Sequence, residues 1–327
     1  MPKVSVFSVF HNREDCIDRC VDSLLSQTSR DMEVVLIDDG SDDETGQRLE
    51  EYQGESVRVI THANKGFVRA LTDAIVRSDS EYIAIHGSGD IAKKTKIKKQ
   101  SEFLDHNPSV GLVGCRRLVK FYGNKRNNYA IGQEFKKKFE RGIISINPFS
   151  HGEVMYRRSV YEKAGGYREF FRYAQDRDLW CRMSHIAEFA VLGDILYERV
   201  TGRPGSVSGD IEKLMQQRFL SEFAVYCHCQ RLEGKPDPLD SIGAQSALMR
   251  PRSKRLAQDL ARLSVRRWIE GDPHGAAQLV AAGLSERVCL HTLFASFSLT
   301  RFSSILMPPL SAYLSTRRRY REEGGSD

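Results

Sequence analysis

"EVVLIDDGSDDET", residues 33–45, starts as a short β-branched and apolar run, Glu33–Ile37, and breaks at Asp38-Asp39-Gly40. Such a run, bounded by a turn, reads as an interior strand. The residues after the break read as a helix start, with Ser41 as cap and Glu44 three residues on forming a capping box. The same strand–turn–helix unit recurs on both sides. Val4–Phe10 is a strand run, and Cys16–Gln27 follows with Ile17, Val21, Leu24 and Leu25 at helical spacing. Val57–Thr61 is a third strand, followed by a helix over Phe67–Val76; Tyr82–Ile85 is a fourth, followed by a basic helix over Lys93–Leu104 whose lysines Lys93, Lys94, Lys96, Lys98 and Lys99 read mostly as a wet face. Val154–Tyr156 and Phe189–Tyr197 hold further strand candidates, Gly165-Gly166 closes a short helix, and Asp176 opens another over Leu179–Met183. This alternation predicts an α/β fold, a mostly parallel sheet with helices on both faces.

In open parallel sheets, ligands bind beyond the carboxyl ends of the strands. That rule selects Phe10-His11-Asn12, Asp38-Asp39, His62 to Lys65, and Gly87 to Asp90. All four ends are polar or contain glycine.

With 40% hydrophobic residues and charges of both signs, the chain can fill a sizeable core. A net charge of +6 fits an anionic small ligand or an acidic membrane surface, and there is no basic stripe with interleaved aromatics to indicate nucleic acid. Cys16, Cys20, Cys115, Cys181, Cys227, Cys229 and Cys289 are odd in number and scattered, which predicts a reduced, cytoplasmic protein. Cys16 and Cys20 fall on one helix face as ordinary apolar residues. Cys227-His228-Cys229 lacks a second ligand pair at zinc spacing. No apolar leader precedes Lys3, and no apolar run reaches the roughly 18 residues that span a bilayer.

Thr201-Gly202-Arg203-Pro204-Gly205 is a breaker cluster that sets the expected boundary between a domain over 1–205 and a helical region over 206–327. Ile211–Cys229, Ser253–Glu270 and His274–Ala282 read as helices. Residues 287–321 mix leucines and aromatics, are interrupted by Arg301 and Pro308-Pro309, and end in Arg317, Arg318, Arg319 and Arg321. That pattern fits peripheral contact with the cytoplasmic face of an inner membrane, or a last helix pair with a solvated basic tail.

Four stretches carry a resemblance: "VSVFSVFHNREDCIDRCVDSLLSQT", "EVVLIDDGSDDET", "SEYIAIHGSGDI" and "HGEVMYRRSVYEKAGGYREFFRYAQDRDLWCRM". In order and spacing they resemble the motifs of family 2 glycosyltransferases of the Rossmann-like GT-A fold, over about residues 3–208. The resemblance implies an inverting transfer of a sugar from a nucleotide-sugar donor to a glycan or lipid-linked acceptor in surface polysaccharide synthesis. It places Asp39 on a uracil-like base, and Ser8, His11 and Asn12 along the nucleoside pocket. Asn64, Lys65, Ser88, Gly89, His151 and Arg203 fall to the rest of the donor, with Lys65 as a phosphate partner; Arg203 departs from the family, standing where a His is frequent, and an arginine cannot ligate metal but can pair with phosphate. It places the catalytic base on Asp176, in "AQDRDLW", where Gln175 stands in for a frequent Glu.

The family commonly carries an Asp-x-Asp-Asp cluster where this chain has "GSGD". Gly87 and Gly89 take the first two acid positions and Asp90 keeps the last, the position that holds Mg²⁺ or Mn²⁺ in the family. A divalent ion takes much of its coordination from diphosphate and water, so one carboxylate can suffice. The same corner also reads as a plain turn in which Asp90 caps the next helix. The missing acids motivate an alternative, a catalytically inactive nucleotide- or glycan-binding scaffold. A nucleotidyltransferase would want a glycine-rich, lysine-bearing loop after the first strand, and "SVFHNREDC" has none.

Overall fold

A computed structural model describes residues 1–300 apart from 123, 204–206 and 208. The first half runs β1 (Val4–Phe10), α1 (Ile17–Leu25), β2 (Met32–Asp39), α2 (Thr45–Glu50), β3 (Val57–His62), α3 (Phe67–Val76), β4 (Tyr82–Ile85), β5 (Ile91–Ala92) and α4 (Lys96–His106). Then come β6 (Val110–Phe121), β7 (Asn124–Ile131), β8 (Phe135–Lys137), α5 (Gly142–Ser145), β9 (Met155–Arg157), α6 (Arg158–Lys163), α7 (Gln175–Met183) and β10 (Glu188–Thr201). The remainder is helical: α8 (Ile211–Leu232), α9 (Pro238–Ile242), α10 (Lys254–Ile269), α11 (Pro273–Glu286) and α12 (Leu290–Thr300).

Among the described residues one sheet has the order β3-β2-β1-β4-β9-β6-β10-β5, with β7 on β6 and β8 on β10. The pairs β3/β2, β2/β1, β1/β4 and β6/β10 are parallel. Short β9 lies between β4 and β6, antiparallel to both. The period-two alternation of the strands decides what each helix covers. Phe7, Val9, Val35, Ile37, Ile83 and Ile85 face Leu71, Ala74 and Ile75 of α3. Val4, Val6, Phe10, Val34 and Leu36 face Ile17, Cys20, Val21 and Leu24 of α1. The expected helices on both faces of a largely parallel sheet are present.

Two expectations are corrected, and one strand was not read at all. Ser41 does not cap a helix: its hydroxyl donates to Asp38 Oδ1 at 2.5 Å and accepts the Asn12 N–H at 3.0 Å, and α2 starts later, at Thr45, whose N–H is taken by Asp43. The helix after "GSGDI" is not uniformly a wet basic face. Lys96 is fully buried, its Nζ has no hydrogen-bond partner and lies over the Tyr197 ring, and burial lowers its pKa to about 8. Strand β6 was not read from the sequence, and it contains Gly111 and Gly114. Close approach requires them: a Cβ at Gly111 would lie 2.5 Å from that of Ala187, and one at Gly114 2.5 Å from the Phe149 ring.

The C-terminal helices start on side-chain caps. Asp210 accepts the Lys213 N–H, Ser253 that of Leu256, and Asp272 that of Gly275. Val225 of α8 is buried in the core on the α3 side of the sheet, while α10 and α11 join through Leu256, Leu260 and Leu279. Among the described residues no helix is long and apolar enough to cross a membrane. The part of the proline- and arginine-containing tail from 301 to 321 lies outside the described residues, as do Pro204 and Gly205 of the breaker cluster.

Candidate active site

The ends of β1, β2 and β3 meet in one cluster. Gly40 takes φ +68°, and a Cβ there would lie 2.9 Å from Asn64 Cα, so the loop after β2 packs directly on the loop after β3. Asp38 and Asp39 leave β2 on opposite faces, as strand geometry requires. Asp38 turns to Ser41, whereas Asp39 is buried and its Oδ1 accepts the Lys65 N–H at 2.9 Å. Asp39 therefore sets the 64–66 loop. His11 is exposed and its Nδ1 lies 3.3 Å from the Asn64 amide. Asn12 clamps the neighbouring loop, with its N–H on Ser41 and its Oδ1 taking the Asp42 N–H at 2.9 Å. The Lys65 ammonium pairs with Asp73 at 2.6 Å. Ser8 is fully buried inside β1 with its Oγ unpartnered, so it frames the pocket instead of lining its surface.

The fourth strand end forms a second cluster. The Tyr197 hydroxyl, from β10, donates to Asp90 Oδ2 at 2.5 Å and accepts the Gly87 N–H at 3.0 Å. Val200 N–H donates to Asp90 Oδ1 at 2.8 Å. Asp90 thus ties "GSGD" to β10 and is 9% exposed; burial raises its pKa to about 6 despite these two donors. His86 Nε2 donates to the Asp90 carbonyl at 3.2 Å, and burial, with Lys96 beside it, lowers its pKa to about 3, so the ring is neutral. Ser88 is partly exposed at the tip of the corner. Gly89 takes φ +90° and faces Arg203, whose Nη1 meets both oxygens of Asp15 at 2.7 and 2.8 Å. The Arg203 guanidinium also lies over the Tyr122 ring, 4.9 Å from its centroid.

The third cluster is on the α3 face. Asp176 is partly exposed in the first turn of α7, where a helix favours a carboxylate. Its Oδ1 accepts the Arg177 N–H at 2.7 Å, and the Asn147 amide lies 3.4 Å from Oδ2. The His151 ring sits against Phe67, Tyr167 and Trp180, with Nε2 2.6 Å from the Tyr167 hydroxyl. Burial, partly offset by the Asp176 charge, lowers its pKa to about 4 and leaves it neutral. Asp178 is a structural acid held by Arg168 and Arg182.

The structure therefore brings the sequence-derived residues into three polar clusters: His11, Asn12, Asp39, Asn64 and Lys65; Ser88, Gly89, Asp90 and Arg203; His151 and Asp176. Sequence reading missed Tyr197, Arg19 and Asn147. Gly152 is forced by packing, since a Cβ there would overlap the Tyr197 hydroxyl and lie 2.8 Å from Gly87 N. No local pattern marks it beyond the "HG" pair.

A divalent metal does not fit the side chains at the corner. Among the described residues no three His, Cys, Asp or Glu side chains group as metal ligands. Asp90 directs both oxygens at donors, so a cation there would face the positive ends of an O–H and an N–H. The two glycines cannot stand for displaced acids either: Gly89 has φ +90°, and a Cβ at Gly87 would overlap the Asp90 carboxylate.

The architecture is that of solved GT-A enzymes. S. aureus TarS 1–349, in complex with UDP-GlcNAc, is 18% identical with a TM-score of 0.54, over 80% of each chain. A mannosyltransferase from Pyrobaculum calidifontis, in complex with GDP-Man and Mn²⁺, is 17% identical with a TM-score of 0.51, over 100% of this chain and 88% of its own. The profile of Glycosyl transferase family 2 matches residues 5–165. The putative glycosyltransferase EpsE of Bacillus subtilis is 30% identical over 188 residues, 55% of this chain and 66% of its own. A chondroitin synthase of Pasteurella multocida is 28% identical over 203 residues, 61% of this chain and 21% of its own. The chain belongs to the family 2 glycosyltransferases. It spans under two thirds of the length of these curated relatives.

Proposed function

We propose that this chain is an inverting glycosyltransferase that moves a sugar from a nucleotide-sugar, UDP-linked by preference, to an acceptor hydroxyl in surface glycan or polysaccharide assembly. The observation that carries the reading is Asp176: a partly exposed carboxylate in the first turn of α7, beside Asn147 and near His151, whose ring packs on Phe67 just after the 64–66 loop. Asp176 takes the acceptor's proton as the hydroxyl oxygen attacks the anomeric carbon. The bond from that carbon to the diphosphate oxygen breaks, its electron pair leaves with the nucleoside diphosphate, and one displacement inverts the centre. Neutral His151 packs beside this face and adds no charge. Divalent metals commonly aid such departures in GT-A enzymes, by neutralising the diphosphate.

Asp39 is read as the acceptor for the base N–H. Among the described residues its hydrogen bonding uses Oδ1 alone, which leaves Oδ2 for a ligand. Asp39→Ala is expected to weaken UDP binding by about 10- to 100-fold, the range of a lost charge-assisted hydrogen bond. Titration calorimetry measures it, and an unchanged affinity removes Asp39 from the base site. A donor screen by product mass tests the activity itself. If UDP binds and no donor in the panel is transferred or hydrolysed, the scaffold reading replaces this one.

We place the enzyme at the cytoplasmic face of a membrane, acting on a lipid-linked acceptor. Helix α12 supports this with Leu290, Leu293, Phe294 and Phe297, an exposed stripe at helical spacing. Arg317, Arg318, Arg319 and Arg321 follow in sequence and suit anionic headgroups. Flotation with phosphatidylglycerol vesicles is expected to carry the full chain and not a chain lacking 287–327. Equal flotation of the two ends the idea.

A further inference from the structure

Where the family pattern puts two acids, this chain has Gly87 and Gly89, and an arginine from elsewhere in the chain stands beside the second. The Arg203 guanidinium occupies the space beside Gly89, with Nη2 3.3 Å from the position a Cβ would take there. Arg19, from α1, reaches the same residue and donates from Nη2 to the Gly89 carbonyl at 3.4 Å. Two cations from distant parts of the chain converge on one end of a ligand-facing strand. Together they carry the charge of one divalent ion. Asp90, the expected metal ligand, is spent on Tyr197 and Val200.

We propose that the donor's diphosphate is neutralised at Gly89 by the guanidinium groups of Arg203 and Arg19, and that donor binding needs no divalent metal. This rests on the reading of the site as a nucleotide-sugar site. Guanidinium N–H groups form charge-assisted, often bidentate bonds to phosphate oxygens. Asp15, which holds Arg203 before the donor arrives, is exposed and can exchange that bond for water when phosphate competes. As the anomeric carbon–oxygen bond breaks, the electron pair stays on the terminal phosphate oxygen, and the two arginines receive that charge.

The test titrates UDP and GDP into the full chain by calorimetry, once with Mn²⁺ and once with EDTA. The affinities are expected to agree within about twofold. In EDTA, Arg203→Gln is expected to weaken binding by about 10- to 100-fold and Arg19→Gln by about 10-fold. Thermal melts confirm that each variant is folded. Asp15→Asn separates roles: it removes the Asp15 charge from beside Arg203, so binding holds or tightens if the guanidinium meets phosphate. If Asp15→Asn weakens binding as much as Arg203→Gln, the arginine is a structural strut and the proposal fails. It also fails if Mn²⁺ strengthens binding more than tenfold or if Arg203→Gln leaves it unchanged; the nucleotide-sugar reading then stands. If neither nucleotide binds in either buffer, that reading fails and takes this proposal with it.

Discussion

Asp176→Asn is expected to lower the rate of sugar transfer by about a thousandfold while donor affinity stays within about twofold. General base catalysis contributes roughly 10²–10⁴ to such reactions, and an amide cannot take the acceptor proton. The substitution is conservative for the fold. The Asn carbonyl still accepts the Arg177 N–H that Asp176 Oδ1 holds at 2.7 Å, so the start of α7 keeps its geometry. The loss should fall on kcat, since the carboxylate matters as the hydroxyl attacks and not when the donor docks. Asp178→Asn makes the contrast. Asp178 is buried between Arg168 and Arg182, so its loss destabilises the protein instead of stopping chemistry in the folded fraction. Initial rates with a transferred donor, alongside UDP calorimetry, decide the matter. An Asp176→Asn enzyme that keeps more than a tenth of the rate removes Asp176 from the role of base.

Gly152→Ala is expected to destabilise the protein by about 3 kcal/mol, at the upper end for an overpacked interior. The added methyl would overlap the Tyr197 hydroxyl and press to 2.8 Å from Gly87 N, both held by the hydrogen bonds that pin the 87–90 corner. Tyr197→Phe alone is expected to cost about 2–4 kcal/mol, because it strips one partner each from the buried Asp90 carboxylate and the Gly87 N–H. The two changes share one point in space. The double variant should therefore fall short of the sum by about 1–2 kcal/mol, since removing the hydroxyl gives the methyl room. Urea unfolding of the four proteins measures the cycle. Strict additivity, or a Gly152→Ala protein as stable as its parent, would show that the hydroxyl does not organise the corner.

Much of this architecture is legible along the chain. The strands at Val4–Phe10 and Tyr82–Ile85 and the helix at Phe67–Val76 fall where alternation and helical spacing put them. Asp210, Ser253 and Asp272 start helices by a short-range bond that local sequence can announce. Where reading failed, a longer-range contact had won. Ser41 looked like a cap until Asp38 and Asn12 claimed its hydroxyl. Strand β6 went unread, and its Gly111 and Gly114 are explained only by the side chains packed against them. Lys96 looked solvated, yet the turn of α4 that carries it faces the core.

The sequence by itself determined the α/β alternation, the four polar strand ends, the family and the positions of Asp39 and Asp176. Those follow from periods of two and 3.6 residues and from motifs a few residues long. Only the tertiary structure decided what "GSGD" is: a corner whose carboxylate is turned inward to Tyr197 and Val200 and whose outer side is met by Arg203 and Arg19. The reason is physical. A side chain's partner is chosen by register, helix rotation and packing between segments far apart in the chain, and no local pattern encodes that choice.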